Sequence, residues 1–315
     1  MTTTNPAAPA APLAPPDLAR IAKTVATKLP FRGDVTGLTP LAGDASNRRY
    51  FRVALKGKPS ALILMQLADP EGFKKSEEAV SGASVQIAEL PFTNVLTHLQ
   101  RTGVTVPQLH YYDREAGLLY LEDFGDLTLA EACRDADRAR LVSLYRQAID
   151  QLVLLQVKGT QPPAPGCIAF HRRFDVSLLM WEFDHFLEYG IAARLGQPMK
   201  PADDAAVRAA FQRIAELLAG QPQVFVHRDY HSRNLMVDGA RLGIIDFQDA
   251  LMGPATYDLA SLLKDAYIEL DDAVVDGLVD HFLDGLAAQG QGWHAVQFEY
   301  ADQLQTHVSA RFGYL

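Results

Sequence analysis

The hydrophobic and polar positions divide the chain into two parts with different periodicities. From about residue 35 to 67, short apolar stretches (VTGLTPL, RYFRVAL and SALILMQL) alternate with turns that contain glycine or proline. This alternation predicts antiparallel strands. The segment FTNVLTHLQRTG, residues 92–103, has helical spacing and ends at a glycine, and PQLHYYD and LLYLEDFG predict two further strands. A five-stranded sheet with one main helix is therefore expected.

Beyond residue 126 the apolar residues recur at helical intervals. The predicted helical spans are 128–158, 175–195, 203–219 and 255–288. The pattern predicts an α+β fold with a small antiparallel-sheet N-lobe and a larger, mostly helical C-lobe. The predicted domains are a disordered Ala/Pro-rich tail at 1–16, an N-terminal lobe at 17–124 and a C-terminal lobe at 125–315.

One stretch inside the helical part has different chemistry: VFVHRDYHSRNLMVDGARLGIIDFQD, residues 224–249. Its short β-branched runs predict strands, and DGAR predicts the turn between two of them. If Val237 pairs with Leu242, Asn234 lies opposite Ile245 and therefore next to Asp246. An amide and a carboxylate at one end of a hairpin suit a hard cation such as Mg²⁺.

Composition and charge argue against some classes of binding partner. The net charge of −9, from 29 basic and 38 acidic residues, argues against a surface that binds nucleic acid. The opening residues lack the pattern of a signal peptide, and no apolar run is long enough to span a membrane. Cys133 and Cys167 are too far apart in sequence to suggest a metal motif. We expect a cytoplasmic protein that is a monomer.

The segments HRDYHSRN and IDFQDALMGPATYDLASLL resemble the aminoglycoside phosphotransferase and choline kinase group, which has a two-lobed protein-kinase-like fold. LAGDASNRRYFRV and FQDALMGPATYDLASLLKDAYI resemble, within that group, the bacterial anomeric kinases of cell-wall recycling, which act on N-acetylmuramate and N-acetylglucosamine. The resemblance covers roughly residues 30 to 275. It implies ATP and Mg²⁺ as cofactors and a small-molecule amino sugar, phosphorylated at its C1 hydroxyl, as substrate. The family usually continues through another helix beyond ARFGYL, which suggests a shortened C-terminal end.

The resemblance implies roles for several polar residues of residues 224–249 and for Asp258, which follows them. Asp229 is expected to accept the proton of the attacking hydroxyl, or to orient that hydroxyl. Asn234 and Asp246 are expected to hold Mg²⁺ against the phosphates. His227 and His231 are expected to organise the loop. Asp258 is expected to cap the N-terminus of a helix or to anchor the loop.

The nucleotide is expected to bind in the N-terminal lobe, beneath the loop between the first two strands. The candidate residues are Gly43, Ser46, Asn47, Arg48, Arg49 and Glu122. The third strand lacks the lysine that the superfamily places there, and Met65 or Gln66 stands at that position. An arginine of NRRYFR is expected to supply the missing charge; the alternative is weak nucleotide binding.

The acceptor is expected to contact the helical lobe, with Trp181 stacking on a sugar and Glu182 accepting directed hydrogen bonds. The alternative for this segment is an ordinary amphipathic helix. Two other functions stay open: phosphorylation of an aminoglycoside or another small alcohol, and a catalytically weak regulatory module. A protein kinase is disfavoured because no A-P-E segment follows Asp246.

Overall fold

The computed structural model describes residues 14–41, 48–67 and 89–289 of the 315-residue chain. Contacts divide the chain into two compact units, Met1–Phe73 with Gln108–Asp123, and Lys74–Pro107 with Phe124–Leu315. Among the helices of the described ranges, none combines the length and the apolar character needed to cross a bilayer.

The first unit is a five-stranded antiparallel sheet with one helix. Its elements are α1 (Leu18–Thr27), β1 (Asp34–Pro40), β2 (Arg48–Lys56), β3 (Ala61–Leu67), β4 (Leu109–Asp113) and β5 (Leu118–Leu121). The strand order is β1-β2-β3-β5-β4. The predicted five strands are therefore confirmed.

One face of this sheet forms the core of the first unit. Alternate residues of β2 and β3, such as Phe51, Val53 and Leu64, pack with Ile21 and Val25 of α1. Successive side chains of a strand point to opposite faces, so Met65 lies on the face of β3 opposite to Leu64. Each large apolar side chain buried in this way stabilises the unit by roughly 1.5–3 kcal/mol.

The second unit is mostly helical. Its helices are α2 (Pro91–Thr102), α3 (Leu129–Arg134), α4 (Arg138–Thr160), α5 (Val176–His185), α6 (Pro201–Ala219), α7 (Thr256–Leu263) and α8 (Asp272–Ala287). α5 continues through a π-helical segment, Phe186–Ala192, into a last turn at Ala193–Leu195. The 23-residue α4 buries one side along its length, including Leu144, Ile149 and Leu152.

Two small two-stranded sheets interrupt these helices and carry the polar stretch. β6 (Gln223–Val226) pairs with β9 (Leu251–Pro254), and β7 (Leu235–Asp238) pairs with β8 (Arg241–Ile244), both antiparallel. Val237 faces Leu242, so the predicted hairpin register is confirmed. The strand that pairs with β6, which is β9, was not predicted, because LMGP is short and contains glycine and proline.

Several sequence predictions of helices require correction. The helix of the first unit is α1, which the apolar pattern did not single out; the helix predicted at 92–103 exists as α2 but belongs to the second unit. The spans 128–158 and 255–288 are not continuous. New helices begin where Asp137 accepts from the N–H of Arg140 at 2.8 Å and Asp271 accepts from that of Val274 at 2.9 Å.

Candidate active site

The loop from His227 to Asn234 connects β6 to β7, and Asp246 follows β8 directly after Ile245. The main-chain N–H of Ile245 donates to the carbonyl of Asn234 at 3.0 Å. Asn234 and Asp246 therefore lie at the same end of the hairpin, as its register predicted. The main-chain carbonyl of Asp229 accepts from the Nδ2 amide of Asn234 at 2.9 Å. The loop therefore carries the expected base and one expected metal ligand, and the chain after β8 carries the other.

His227 is fully buried and has a defined tautomer. Its Nδ1 accepts a hydrogen bond from the N–H of Asp229 at 3.2 Å, so Nε2 carries the proton and donates to the carbonyl of Ile245 at 2.9 Å. Burial lowers the pKa of His227, although the nearby Asp229 and Asp246 carboxylates oppose this shift. A neutral imidazole thus joins the base-bearing loop to Ile245, which precedes Asp246.

Asp258 is fully buried in α7 and binds the start of this loop. Its Oδ2 accepts from the N–H of His227 at 2.7 Å, and its Oδ1 accepts from the N–H of Arg228 at 3.1 Å. The carboxylate thus compensates two main-chain donors that the end of β6 would otherwise leave without a strand partner. Asp258 acts by anchoring the loop, and the N-cap of α7 is Ala255.

Asn234 and Asp246 present oxygen atoms, which are the ligands that Mg²⁺ prefers. The amide nitrogen of Asn234 is engaged by Asp229, which leaves its oxygen for a cation. Gln248 donates from Nε2 to Oδ1 of Asp246 at 3.0 Å and to Oδ2 of Asp249 at 2.9 Å. Asp246 adopts a left-handed backbone, with φ of 65°, and such strain in a non-glycine residue is typical of functional sites.

Across the part of the chain that the structure describes, no group of three or more His, Cys, Asp or Glu side chains could hold a metal. Mg²⁺ keeps several waters and commonly binds through one or two protein ligands together with substrate phosphates. A two-residue set of Asn234 and Asp246 therefore fits Mg²⁺ presented with a nucleotide. It does not fit a metal that requires a full cage of protein ligands.

The second histidine of the loop occupies a different environment. The His231 ring lies edge-on to Tyr267, with centroids 5.4 Å apart, and its Nε2 is 3.4 Å from the amide nitrogen of Asn234. Next to it, the N–H of Ser232 donates to Oδ2 of Asp265 at 2.9 Å. Asp265 was missed in the sequence, where LLKDAY gives no sign that its carboxylate binds the loop.

Arg228 is a further residue that the sequence reasoning missed. Its φ of 82° lies in the left-handed region, where a residue with a Cβ is disfavoured by roughly 1–2 kcal/mol. Its Nη2 donates to Oε1 of Glu182, on α5, at 2.8 Å. The arginine at the middle position of H-x-D could have indicated this ion pair, because a guanidinium in a tight loop needs a hydrogen-bond or charged partner.

The expected acceptor residues lie next to each other on α5 but in different environments. Trp181 is 42% exposed, and its ring contacts the His185 ring at a tilt of 48° with centroids 3.9 Å apart. The carboxylate of Glu182 is engaged by Arg228. The alternative interpretation of this segment as an ordinary amphipathic helix is supported in part, since Leu179 and Phe183 of the same helix are buried.

The expected nucleotide residues belong to the first unit. Gly43, Ser46 and Asn47 lie outside the described residues. Arg48 is buried, whereas the guanidinium of Arg49 lies 5.0 Å from the centroid of the Phe51 ring.

Glu122 follows β5 and is already engaged with the chain before β4. Its N–H donates to the carbonyl of Gln108 at 2.9 Å, and its carboxylate accepts from the N–H of Gln108 at 3.1 Å. Next to it, Asp123 forms a two-point ion pair with Arg52 of β2, at 2.7 and 3.1 Å. This pair was missed, because its members are far apart in sequence.

The position of the missing lysine is buried. Met65 is fully buried, and Gln66 donates from Nε2 to the carbonyl of Ala14 at 3.1 Å. Arg48, Tyr50 and Arg52 pair with β3 residues of the Met65 face. By strand alternation they share that face, while Arg49 is on the opposite one.

Comparison with known proteins agrees with this geometry. The fold is that of a kinase-like phosphotransferase: it has a small antiparallel sheet and a mostly helical second unit, and Asp229, Asn234 and Asp246 lie at one end of the β7–β8 hairpin. Residues 37–298 match the family described as "Phosphotransferase enzyme family" (APH). The chain belongs to this family.

Among curated proteins, the chain is similar to enzymes named N-acetylmuramate/N-acetylglucosamine kinase. It is 34% identical to the one from Pseudomonas putida over 83% of this chain and 69% of the relative. It is 31% identical to that of Pseudomonas aeruginosa, over 78% and 64%, and 31% identical to that of Neisseria meningitidis serogroup B, over 80% and 69%. The matches thus span about two thirds of the length of these relatives.

Solved structures show the same fold. An ADP-bound aminoglycoside phosphotransferase, APH(2'')-Ib, superposes with a TM-score of 0.57 at 12% identity, over 94% of this chain and 91% of that one. A choline kinase from Cryptosporidium parvum Iowa II gives a TM-score of 0.61 at 12% identity, over 94% and 87%. The predicted kinase-like α+β fold and the predicted family are therefore confirmed.

Proposed function

We propose that the protein is an ATP- and Mg²⁺-dependent kinase that phosphorylates N-acetylmuramate or N-acetylglucosamine at the anomeric C1 hydroxyl. The observation that carries the phosphoryl transfer is the loop in which Asn234 binds the carbonyl of Asp229 while Asp246 lies at the end of the same hairpin. The identity of the acceptor is supported by the curated relatives at 31–34% identity.

In this proposal Asp229 acts on the hydroxyl of the acceptor. Hydrogen bonds with His227 and Asn234 hold the main-chain N–H and carbonyl of Asp229. In the proposed reaction the C1 oxygen forms a bond to the γ-phosphorus, the bond from that phosphorus to the ADP oxygen breaks, and the hydroxyl proton passes to the Asp229 carboxylate. An anomeric hydroxyl is more acidic than an ordinary alcohol, which reduces the basicity that the carboxylate needs.

Asn234 and Asp246 would hold Mg²⁺, which neutralises charge on the nucleotide phosphates. Gln248 restrains one oxygen of Asp246 and so limits the orientations of that carboxylate. In the first unit Arg48 is the favoured substitute for the missing lysine, because it shares the sheet face of Met65. Gly43, Ser46, Asn47, Arg49 and Glu122 complete the proposed nucleotide-binding set.

Trp181 is the proposed stacking surface for the sugar, since it is exposed on the helix that Arg228 joins to the catalytic loop. We place the reaction in the cytoplasm, where ATP is available. The expectations of a monomer and of no nucleic-acid partner stay predictions.

The test is to incubate the protein with ATP, Mg²⁺ and each amino sugar. Reducing sugar should disappear in step with ADP release, and phosphorus NMR should show coupling to the anomeric proton. The matched control is methyl N-acetylglucosaminide, whose C1 oxygen is blocked and which should not be phosphorylated. ADP release with the reducing end retained would replace the anomeric assignment with another hydroxyl.

A regulatory module without turnover is the second candidate, and the fully buried Met65 at the position of the lysine favours it. This candidate would be supported if the protein bound nucleotide but released no ADP in the presence of either amino sugar or of any member of an aminoglycoside panel. Turnover of an aminoglycoside alone would support the antibiotic kinase.

A further inference from the structure

Arg228 occupies a backbone conformation that glycine would adopt without strain. Its φ is 82°, and Arg228 and Asp246 are the non-glycine residues with positive φ in the described ranges. The residue immediately after Arg228 is Asp229, the proposed base. The direction of the Asp229 side chain therefore depends on the backbone angles of Arg228.

Two groups hold Arg228 from different sides. Its N–H donates to the buried Asp258 carboxylate at 3.1 Å, which fixes the main chain. Its guanidinium binds Glu182 at 2.8 Å, with 14% of the Arg228 side chain and 36% of the Glu182 side chain exposed. A partly buried ion pair is screened less than one on the surface, so this contact restrains its guanidinium more firmly than the exposed pair of Asp184 with Arg208 does.

We propose that Glu182 is a positioning residue that acts through Arg228, in place of a direct contact with the sugar. The ion pair holds the left-handed backbone of Arg228 in a fixed position relative to α5. It thereby sets the direction of the Asp229 side chain relative to this helix, which also carries Trp181. This inference rests on the proposed kinase function. It adds that the acceptor helix and the catalytic base are coupled through one ion pair.

Replacement of Glu182 has a matched control on the same helix. Glu182→Gln removes the charge that binds Arg228, whereas Asp184→Asn removes the charge that binds Arg208 on α6 in an exposed pair. With an amino sugar as acceptor, Glu182→Gln should lower kcat about tenfold and change the KM for ATP and for the sugar less than twofold. Asp184→Asn should leave kcat within twofold of the parent protein.

A double-mutant cycle separates positioning from a sugar contact. Arg228→Gly keeps the left-handed backbone accessible but removes the guanidinium, so it should unfold at the same or a higher urea concentration while kcat falls about tenfold. If both residues act through one contact, the variant Glu182→Gln/Arg228→Gly should be no slower than the slower single variant. The proposal would be overturned if the decreases in kcat of the two single variants multiplied in the double variant. A raised sugar KM with unchanged kcat in Glu182→Gln would also overturn it.

Hydrogen exchange tests the same coupling without turnover. Amide exchange in a peptide that covers residues 224–234 should be faster in Glu182→Gln than in the parent protein and unchanged in Asp184→Asn. Equal exchange in all three proteins would overturn the coupling. If the parent protein phosphorylates no amino sugar, the proposed function fails, while the exchange measurement still decides whether Glu182 restrains the loop.

Discussion

The buried carboxylate of Asp258 accepts a hydrogen bond from the main-chain N–H of His227 at 2.7 Å. The same carboxylate accepts from the next N–H, so Asp258→Ala should leave two donors in a dry environment. We expect a loss of about 2–4 kcal/mol in the free energy of unfolding, measured by urea denaturation. Asp258→Asn, which retains one acceptor oxygen, should lose less. Equal stability of all three proteins would mean that water replaces the carboxylate.

Asp229→Asn should lower kcat by roughly 10²-fold or more, because the amide cannot accept the hydroxyl proton. Nucleotide affinity should stay within a fewfold of the parent value, since the main-chain bonds of residue 229 to His227 and Asn234 remain. Steady-state kinetics and calorimetric titration with ADP check the two parts. Unchanged turnover would remove Asp229 from the mechanism.

Asp246→Ala should remove most of the Mg²⁺ dependence of ATP binding, because a charged ligand is lost. ATP affinity in the absence of metal should change little. The matched control is Asp238→Ala, at the opposite end of the same hairpin, where the carboxylate pairs with Arg241. Calorimetric titrations with and without Mg²⁺ measure the difference. If the Asp246 and Asp238 variants show the same dependence as the parent, Asp246 is structural.

His98 should make the stability of the protein depend on pH. Burial lowers the pKa of His98, whose Nε2 lies 2.8 Å from the carbonyl of Gly159. The unfolded chain therefore binds a proton, near the ordinary histidine pKa of about 6.5, before the folded chain does. Stability is complete above that pH and falls as the pH drops below it. His227, whose pKa is lowered in the same direction, adds to this loss.

His98→Gln isolates one part of this dependence. The glutamine amide can still donate to Gly159 but does not titrate, so the loss of unfolding free energy between about pH 7 and pH 5.5 should be smaller than in the parent. Urea denaturation across this range measures it. Parallel curves for the two proteins would exclude His98 as a contributor.

The arrangement of the hairpin was determined by the sequence alone. A tight turn at DGAR leaves one register that pairs Val237 with Leu242, and this register fixes the positions of Asn234 and Asp246. The strands of the first sheet were equally predictable, because strand alternation is a local property. The family was recognisable from the order and spacing of the polar residues in HRDYHSRN and the segments that follow.

Tertiary structure decided which distant residues hold that loop. Asp258, Asp265 and Glu182 each bind the loop across at least 30 residues of sequence, and these contacts depend on how α5 and α7 pack. Tertiary structure also decided the formation of α1, because this short helix is stabilised by packing its apolar face against the sheet. Local patterns determine which segments form and how adjacent strands pair, whereas the loop around Asp229 is held by carboxylates that only the folded chain brings together.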